Sequence, residues 1–406
     1  GNLRKEGGAM GMLGGPSVVW AIGDLHADAA CAHQWVAHTR LVRNIWQDVT
    51  QWEWADPSTA LVFLGDYVDK GPHAKATLEL VSALSGRFPE HVTAVMGNHE
   101  LNLLLDRAAG GQRYFEYAYG VAHPAQYMEW LRDDERGGNT STALALLYAA
   151  LDNVYAAGMQ SSVLMVATGP RSIVQYVRPT EFIPMVSAEL QNWQAAYLAG
   201  VASSSRLGSW LEHRPLVAFL GDTAFVHGGF PPDISQPGVL ELNAALAEHA
   251  SEGELPGFIH HNPLAQELVE DRRLHRNCAR VRRAAAALNV SRIAVGHTPG
   301  DRVRVSCDGV LIALDSSLGR WFRASGNYYC TGDAQRSQLS PAQQRICPAL
   351  PRACEGQIGR FWADGGSWSF EVIDGPPAAG SDRKEMAQRD AKEHPQERLE
   401  QSELRA

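Results

Sequence analysis

The sequence contains no apolar run of transmembrane length, so it does not call for a helix across a bilayer. It is also short of positive charge. Its 36 Lys and Arg stand against 45 Asp and Glu, a net charge of −9. That balance argues against nucleic acid as a partner, and it means that an anionic substrate must be attracted locally. Cysteine is scarce: Cys31, Cys278, Cys307, Cys330, Cys347 and Cys354 are scattered over 406 residues, without a CxxC pair. A zinc ribbon is therefore not indicated. Nor is there a Cys–Arg loop of the kind that a thiolate phosphatase needs. Cys330, Cys347 and Cys354 lie in a loop-like stretch rich in Pro, Gln and Ser. An oxidising compartment would let them pair, but free thiols are the expected state, with Cys31 buried and structural. No internal repeat is visible.

What is present is a set of five short patterns in a fixed order. They are Gly23-Asp24-Leu25-His26, Gly65-Asp66-Tyr67-Val68-Asp69, Gly97-Asn98-His99-Glu100, His227-Gly228-Gly229 and Gly296-His297-Thr298. Each follows or closes an apolar run: SVVWAI at 17–22, LVFL at 61–64, HVTAVM at 91–96, AFV before His227 and RIAV before Gly296. Short runs rich in Val and Ile, ended by Gly, suit strands buried on both faces. Helical segments between the first three, such as Ala74 to Leu84, suggest parallel strands joined by crossover helices. The fold class is α/β, and the patterns should line the carboxyl ends of the strands, where open α/β sheets bind ligands.

The side chains in these patterns are metal-ligand types. Asp24, His26, Asp66, Asn98, His227 and His297 mix carboxylate, amide and imidazole donors, which suits Mn, Fe or Zn better than Ca. Asp66 is the natural bridge between two divalent ions. Converging carboxylates without a cation would repel one another, whereas two metals about 3.5–4 Å apart can bind a phosphate and acidify water from a pKa of about 15.7 to about 7. At about 1.36 kcal/mol per unit, that is on the order of 12 kcal/mol toward forming a nucleophile. His99 follows Asn98 and should point near the metals without binding them. Asp69 could hydrogen-bond its imidazole, raise its pKa and keep it a proton donor. Such a general acid is worth about 10²–10⁴-fold.

Taken together, the patterns resemble the metallophosphoesterase superfamily and, within it, the phosphoprotein phosphatases of the Ser/Thr class. The block GSWLEHRPLVAFLGDTAFVHGGF, ending at Phe230, looks like the Shewanella-like protein phosphatases. The resemblance covers roughly Val18 to Ser316. It implies a calcineurin-like fold, with two packed mixed β-sheets flanked by helices. It implies Asp24, His26 and Asp66 as ligands of a first metal, and Asp66, Asn98, His227 and His297 as ligands of a second. His99 would be the acid and Asp69 its partner. The implied reaction is hydrolysis of a phosphomonoester, on a phosphoprotein or phosphopeptide, by one direct in-line displacement.

Several positions depart from the family pattern. Lys70 stands where an Arg usually clamps the phosphate, keeping the charge but losing the bidentate fork. Ala27 stands where Gly is favoured, which is comfortable only at negative φ. A second phosphate-binding Arg is expected between His227 and His297. Arg272 and Arg273 are both candidates, and Asn98 also belongs to the phosphate-binding set. The Ser-Ala-Pro-Asn-Tyr element of toxin-sensitive members is absent, so the resemblance implies insensitivity to their natural inhibitors.

The expected organisation is a flexible lead at 1–15, a catalytic domain at 16–374 and a disordered, charged tail at 375–406. A mostly helical insertion at 101–206 is expected to act as a cap, its aromatics Tyr114, Phe115, Tyr117, Tyr119, Tyr127 and Trp130 near the cleft. The first residue is Gly, not Met, so a leader could have preceded it. Localisation, cytoplasmic or organellar, and any regulatory subunit stay open. Two other readings compete with the protein phosphatase. One is a dinucleoside polyphosphate or other small phosphoester hydrolase of the same fold. The other is a pseudophosphatase that binds phosphorylated partners, against which the ligand set and the His99–Asp69 pair weigh.

Overall fold

The structure, a computed structural model, describes residues 15–110, 129–130, 165–167, 173–175, 195–325 and 353–375. In chain order its strands are β1 (Val18–Ile22), β2 (Val42–Arg43), β3 (Glu53–Trp54), β4 (Thr59–Phe63), β5 (Val92–Ala94), β6 (Met165–Ala167), β7 (Ile173–Gln175), β8 (Val217–Leu220), β9 (Thr223–Val226), β10 (Arg292–Val295), β11 (Arg304–Ser306), β12 (Leu311–Ala313), β13 (Gln357–Asp364) and β14 (Ser367–Asp374). The helices used below are α1 (Ala29–Thr39), α2 (Ala74–Arg87), α3 (Asn98–Ala108), α4 (Arg206–Glu212), α5 (Gln236–Glu252), α6 (Leu255–His261), α7 (Pro263–Glu270), α8 (Cys278–Ala287) and α9 (Arg320–Ser325).

Two five-stranded sheets carry the fold, ordered β14-β13-β1-β4-β5 and β11-β12-β10-β9-β8. Both are mixed. β1, β4 and β5 run parallel, and β13 and β14 add antiparallel neighbours. In the other sheet β9, β10 and β12 run parallel, with β8 and β11 antiparallel at the edges. Strand side chains alternate between faces, and the burial follows that period. Val19, Ala21, Ala60 and Val62 from one sheet meet Phe225, Ala294 and Ile312 from the other in one buried cluster. The edges of Phe225 and Phe361 close it, with ring centroids 5.3 Å apart. The intervening residues, among them Ile22, Leu61, Phe63, Val226 and Val295, face outward into a larger core. There they join Trp35 and Val36 of α1, Leu78 and Val81 of α2, Leu246 of α5 and Val281 of α8. Each fully buried Val, Leu or Phe contributes about 1.5–3 kcal/mol, so the helices are held by their apolar faces. The architecture is the one the resemblance implied, mixed sheets face to face and flanked by helices.

The helix read over Ala74 to Leu84 extends to Arg87. The first residues of the segment 101–206 belong to α3, whose Leu101, Leu103, Leu104 and Leu105 are buried. Its return is helical at 195–200. Trp130 is buried edge-on against Tyr197, with ring centroids 5.7 Å apart. The other cap aromatics, the lead before Gly15 and the tail beyond Gly375 lie outside the described residues.

The thiol expectation is corrected. Cys31 is bonded to Cys354 and Cys278 to Cys307. Among the described residues no cysteine is free; Cys330 and Cys347 lie outside them. Cys354 does not pair within its own loop, because the chain brings it back beside β13, against the buried start of α1. A pairing across 323 residues leaves no trace in local spacing.

Candidate metal centre

Three parallel strands in each sheet end at the same edge, and their following loops meet there. β1 leads into Asp24 and His26, β4 into Asp66, Asp69 and Lys70, and β5 into Asn98 and His99 at the start of α3. From the other sheet, β9 leads into His227, β10 into His297 and β12 into Asp315. Asp24, His26, Asp66, Asp69, Asn98, His99, His227, His297 and Asp315 are all buried.

Donor atoms converge in two groups that share Asp66. His26, Asp66 and His99 bring ligand atoms within 4.8 Å of one another, as do Asp66, His227 and His297. His227 Nε2 lies 3.1 Å from Asp66 Oδ1 and 3.0 Å from Asn98 Oδ1. Nδ1 of His297 is also 3.0 Å from Asn98 Oδ1. His26 Nε2 stands 3.9 Å from Asp24 Oδ2 and 3.8 Å from Asp66 Oδ2. The backbone N–H of His297 donates to Asp24 Oδ2 at 3.1 Å, tying the two sheets together across the cluster. Nδ1–H of His227 donates to the Leu64 carbonyl at 2.6 Å, which fixes the ring and aims Nε2 inward.

The electrostatics of the cluster favour bound cations. Burial, and then the Asp315 charge, push the Asp24 carboxyl well above the usual carboxylate range. Asp315 Oδ2 is buried without a hydrogen-bond partner. Burial opposes a charge on His227, but Asp66 and Asp24 overcome it and raise its pKa to about 10. Burial and the neighbouring His227 lower His297 to about 2, leaving its imidazole neutral with one ring nitrogen able to act as a ligand. Buried carboxylates that cannot all ionise are relieved by cations. The mixed oxygen and nitrogen donor set fits divalent transition metals.

His99 is held differently. Its Nδ1–H donates to Asp69 Oδ2 at 2.6 Å, and its Nε2 lies 3.7 Å from Asp66 Oδ2. Burial disfavours its charge, but Asp66 and the Asp69 hydrogen bond outweigh burial and raise its pKa.

The loops that carry these groups are strained. His26, Ala27, Asp66, Asp69, Lys70 and His297 all have φ between +45 and +67, each costing about 1–2 kcal/mol for a residue with a Cβ. Ala27 is the uncomfortable case anticipated from the sequence, with φ +54. Close packing also fixes the choice of residue at Gly97. A Cβ on Gly97 would sit 2.3 Å from Asp66 Oδ1, so only glycine lets the α3 start approach the central carboxylate.

The basic candidates separate in space. Lys70 Nζ lies 4.6 Å from the centre of the Phe322 ring. The Arg272 guanidinium donates to the His297 carbonyl at 3.2 Å, at the cluster. Arg273 turns to Asp271 and Glu267 instead and is exposed.

Three residues at the site were not singled out from the sequence. Glu100 accepts N–H bonds from Gly97, Asp66, Tyr67 and Val68 at 2.8–3.2 Å, so one buried carboxylate shapes the central loop. Burial and the Asp66 charge raise its pKa to about 7. Asp315 closes an apolar strand, as Asp24 and Asp66 do, and that shared signature could have marked it. Phe322 packs on His26 with ring centroids 4.7 Å apart; nothing in its local sequence marks it.

Residues 17–184 match the family model for the calcineurin-like phosphoesterases. The resemblance to that family is carried by this part of the chain. A 44-residue stretch is 48% identical to a protein phosphatase 2A catalytic subunit of Dictyostelium discoideum. That match spans 11% of this chain and 14% of the relative's length. The fold is similar to that of a cold-active protein-tyrosine phosphatase of a psychrophilic Shewanella species. The similarity has a TM-score of 0.50 and 15% identity over 88% of this chain and 81% of that one. A point mutant of a cold-active protein tyrosine phosphatase gives the same values.

Proposed function

We propose that the protein is a metal-dependent phosphoprotein phosphatase that hydrolyses phosphomonoesters by direct attack of water, with His99 as the general acid. The observation that carries this reading is the 2.6 Å pair between His99 Nδ1 and Asp69 Oδ2, at the rim of a buried Asp and His cluster. A module that only bound phosphate would have no use for a proton donor held in this way.

Asp24, His26 and Asp66 would hold one divalent metal, and Asp66, Asn98, His227 and His297 a second. The bound pair would supply an acidified water and Lewis acidity toward the phosphate. The protein's own groups do the rest. Asp69 fixes the His99 tautomer and keeps a proton at Nε2, which is delivered to the leaving oxygen. Lys70 and Arg272, on either side of the cluster, would contact the non-bridging phosphate oxygens and neutralise developing charge. Arg273 is engaged in its ion pairs, which favours Arg272 for this role. Phosphoproteins are the proposed substrates because similar proteins are described as protein phosphatases.

The test is hydrolysis of p-nitrophenyl phosphate after metal stripping and Mn²⁺ restoration, alongside Asp66→Asn and His99→Asn. Metal-dependent turnover that both variants lose supports the reading. Full turnover by His99→Asn would remove the acid from the mechanism. No turnover by the intact protein with two metals bound would leave a phosphate-binding protein. Matched phosphotyrosine, phosphoserine and dinucleoside tetraphosphate substrates then identify the class hydrolysed.

A further inference from the structure

Phe322 lies far from Lys70 in sequence but meets it at the mouth of the metal centre. The Lys70 ammonium sits 4.6 Å from the centre of the Phe322 ring. The same ring packs on His26, with centroids 4.7 Å apart. A lysine ammonium is a compact charge on a flexible four-carbon stem, without the planar fork that lets arginine lock onto an anion. Here that charge stands among Asp66, Asp69 and Asp315, which all act on it. Left free, it would be drawn down onto those carboxylates. A ring face offers it a second attraction, from the negative side of the π quadrupole.

Phe322 is itself well anchored. It belongs to α9, whose first residue, Arg320, grips the buried Asp28 carboxylate at 2.8 and 2.9 Å through Nε and Nη2. The backbone N–H of Arg320 donates to the same carboxylate at 3.0 Å. Asp28 in turn caps α1 by accepting from the Cys31 N–H at 3.2 Å. On the other side Trp321 meets His73 edge-on at 5.4 Å, and Arg323 Nε donates to the Ser317 carbonyl at 3.0 Å. These ties leave the ring little freedom.

We propose that Phe322 is a positioning residue that holds the Lys70 ammonium ready for a phosphate oxygen, in place of the orientation that an arginine fork would provide. The inference rests on the phosphatase reading above, because it takes Lys70 as a phosphate contact. It concerns only the binding of the anion and adds no chemical step. When phosphate arrives, the ammonium keeps its contact with the ring and turns an N–H toward the oxygen. Rotamer entropy that the lysine would otherwise lose on binding has then already been lost in the free protein.

The experiment measures the dissociation constant of inorganic phosphate by calorimetry on the Mn²⁺-loaded full chain. The proteins are the unaltered one, Lys70→Met, Phe322→Leu, Phe322→Tyr, and the Lys70→Met/Phe322→Leu double variant. Melting temperatures are recorded for each, and p-nitrophenyl phosphate turnover is measured in parallel. Phe322→Leu is expected to weaken phosphate about three- to thirtyfold, the range of a cation–π contact. Phe322→Tyr, which keeps the ring, should restore binding. In the Lys70→Met background, Phe322→Leu should have no further effect. An equal loss with and without Lys70 would mean that the ring acts only as packing, which overturns the inference. So would unchanged phosphate binding in Phe322→Leu, or no phosphate binding by the unaltered protein. The broader reading fails separately: phosphate binding with the expected coupling, but no turnover, would retain the Lys70–Phe322 pair and reject the phosphatase.

Discussion

The two sheets contribute to the metal centre in different ways. The first supplies Asp24, Asp66 and Asp69, the last two in left-handed conformations on a loop held by Glu100 and by the close approach of Gly97. The second supplies His227, His297 and Asp315 just beyond the ends of β9, β10 and β12, with His227 fixed by one bond to Leu64. Negative charge concentrated on one side needs strain and a dedicated scaffold, because repelling groups must be forced together. The other side, with two imidazoles and the single carboxylate of Asp315, has only His297 of these three in a left-handed conformation.

The largest effect should come from breaking the side rich in carboxylates at its centre. Asp66→Asn removes the donor shared by both groups, and phosphoester turnover should fall to background with the loss of both metals, read by elemental analysis. His227→Asn should spare the site around Asp24, His26 and Asp66, leaving about one metal bound per chain. Equal metal loss in the two variants would erase the proposed asymmetry.

His99→Asn comes next. It should lower turnover by about 10²–10⁴-fold with metal content unchanged. The pH profile gives the sign. His99 can act as an acid only while protonated, and its pKa is raised against burial by Asp66 and Asp69. Turnover should therefore fall as pH rises through that elevated value. Asp69→Asn removes one of the groups that raise it, so the falling limb should move to lower pH. A limb that stays in place would assign it to another group.

Glu100→Gln tests the scaffold. The amide NH₂ would face N–H groups that now donate to a carboxylate oxygen, at a cost of about 1–3 kcal/mol for the unsatisfied group. Thermal unfolding should shift down, and turnover with it. The smallest effect is expected at Ala27, whose φ of +54 strains an L-residue. Ala27→Gly should stabilise the fold by at most about 1–2 kcal/mol, less whatever packing the buried methyl provides. A clear destabilisation would show that the methyl contact outweighs the strain.

Much of this was legible in the sequence because it depends on local order. The apolar runs before Asp24, Asp66, Asn98, His227 and His297 placed these residues at strand ends, and parallel strands bring their ends to one edge. Glu100 stood inside a recognised pattern, but its role depends on backbone N–H groups more than 30 residues away. Asp315 has the same strand-then-Asp signature as Asp24 and Asp66. Phe322 and the Cys31–Cys354 pair had no local signal, since each meets its partner only through the tertiary fold. The backbone angle at Ala27 was likewise a matter for the structure, although its consequence could be stated in advance.

The Cys31–Cys354 bond joins positions 323 residues apart and so makes most of the polypeptide a covalent ring. A protease that cuts once anywhere inside that ring produces no separate fragment. The nicked protein should run as a single species on a non-reducing gel and divide in two only after a thiol is added. The two cut ends then stay at a high effective concentration, so one scission in the segment between the sheets can leave the metal centre assembled.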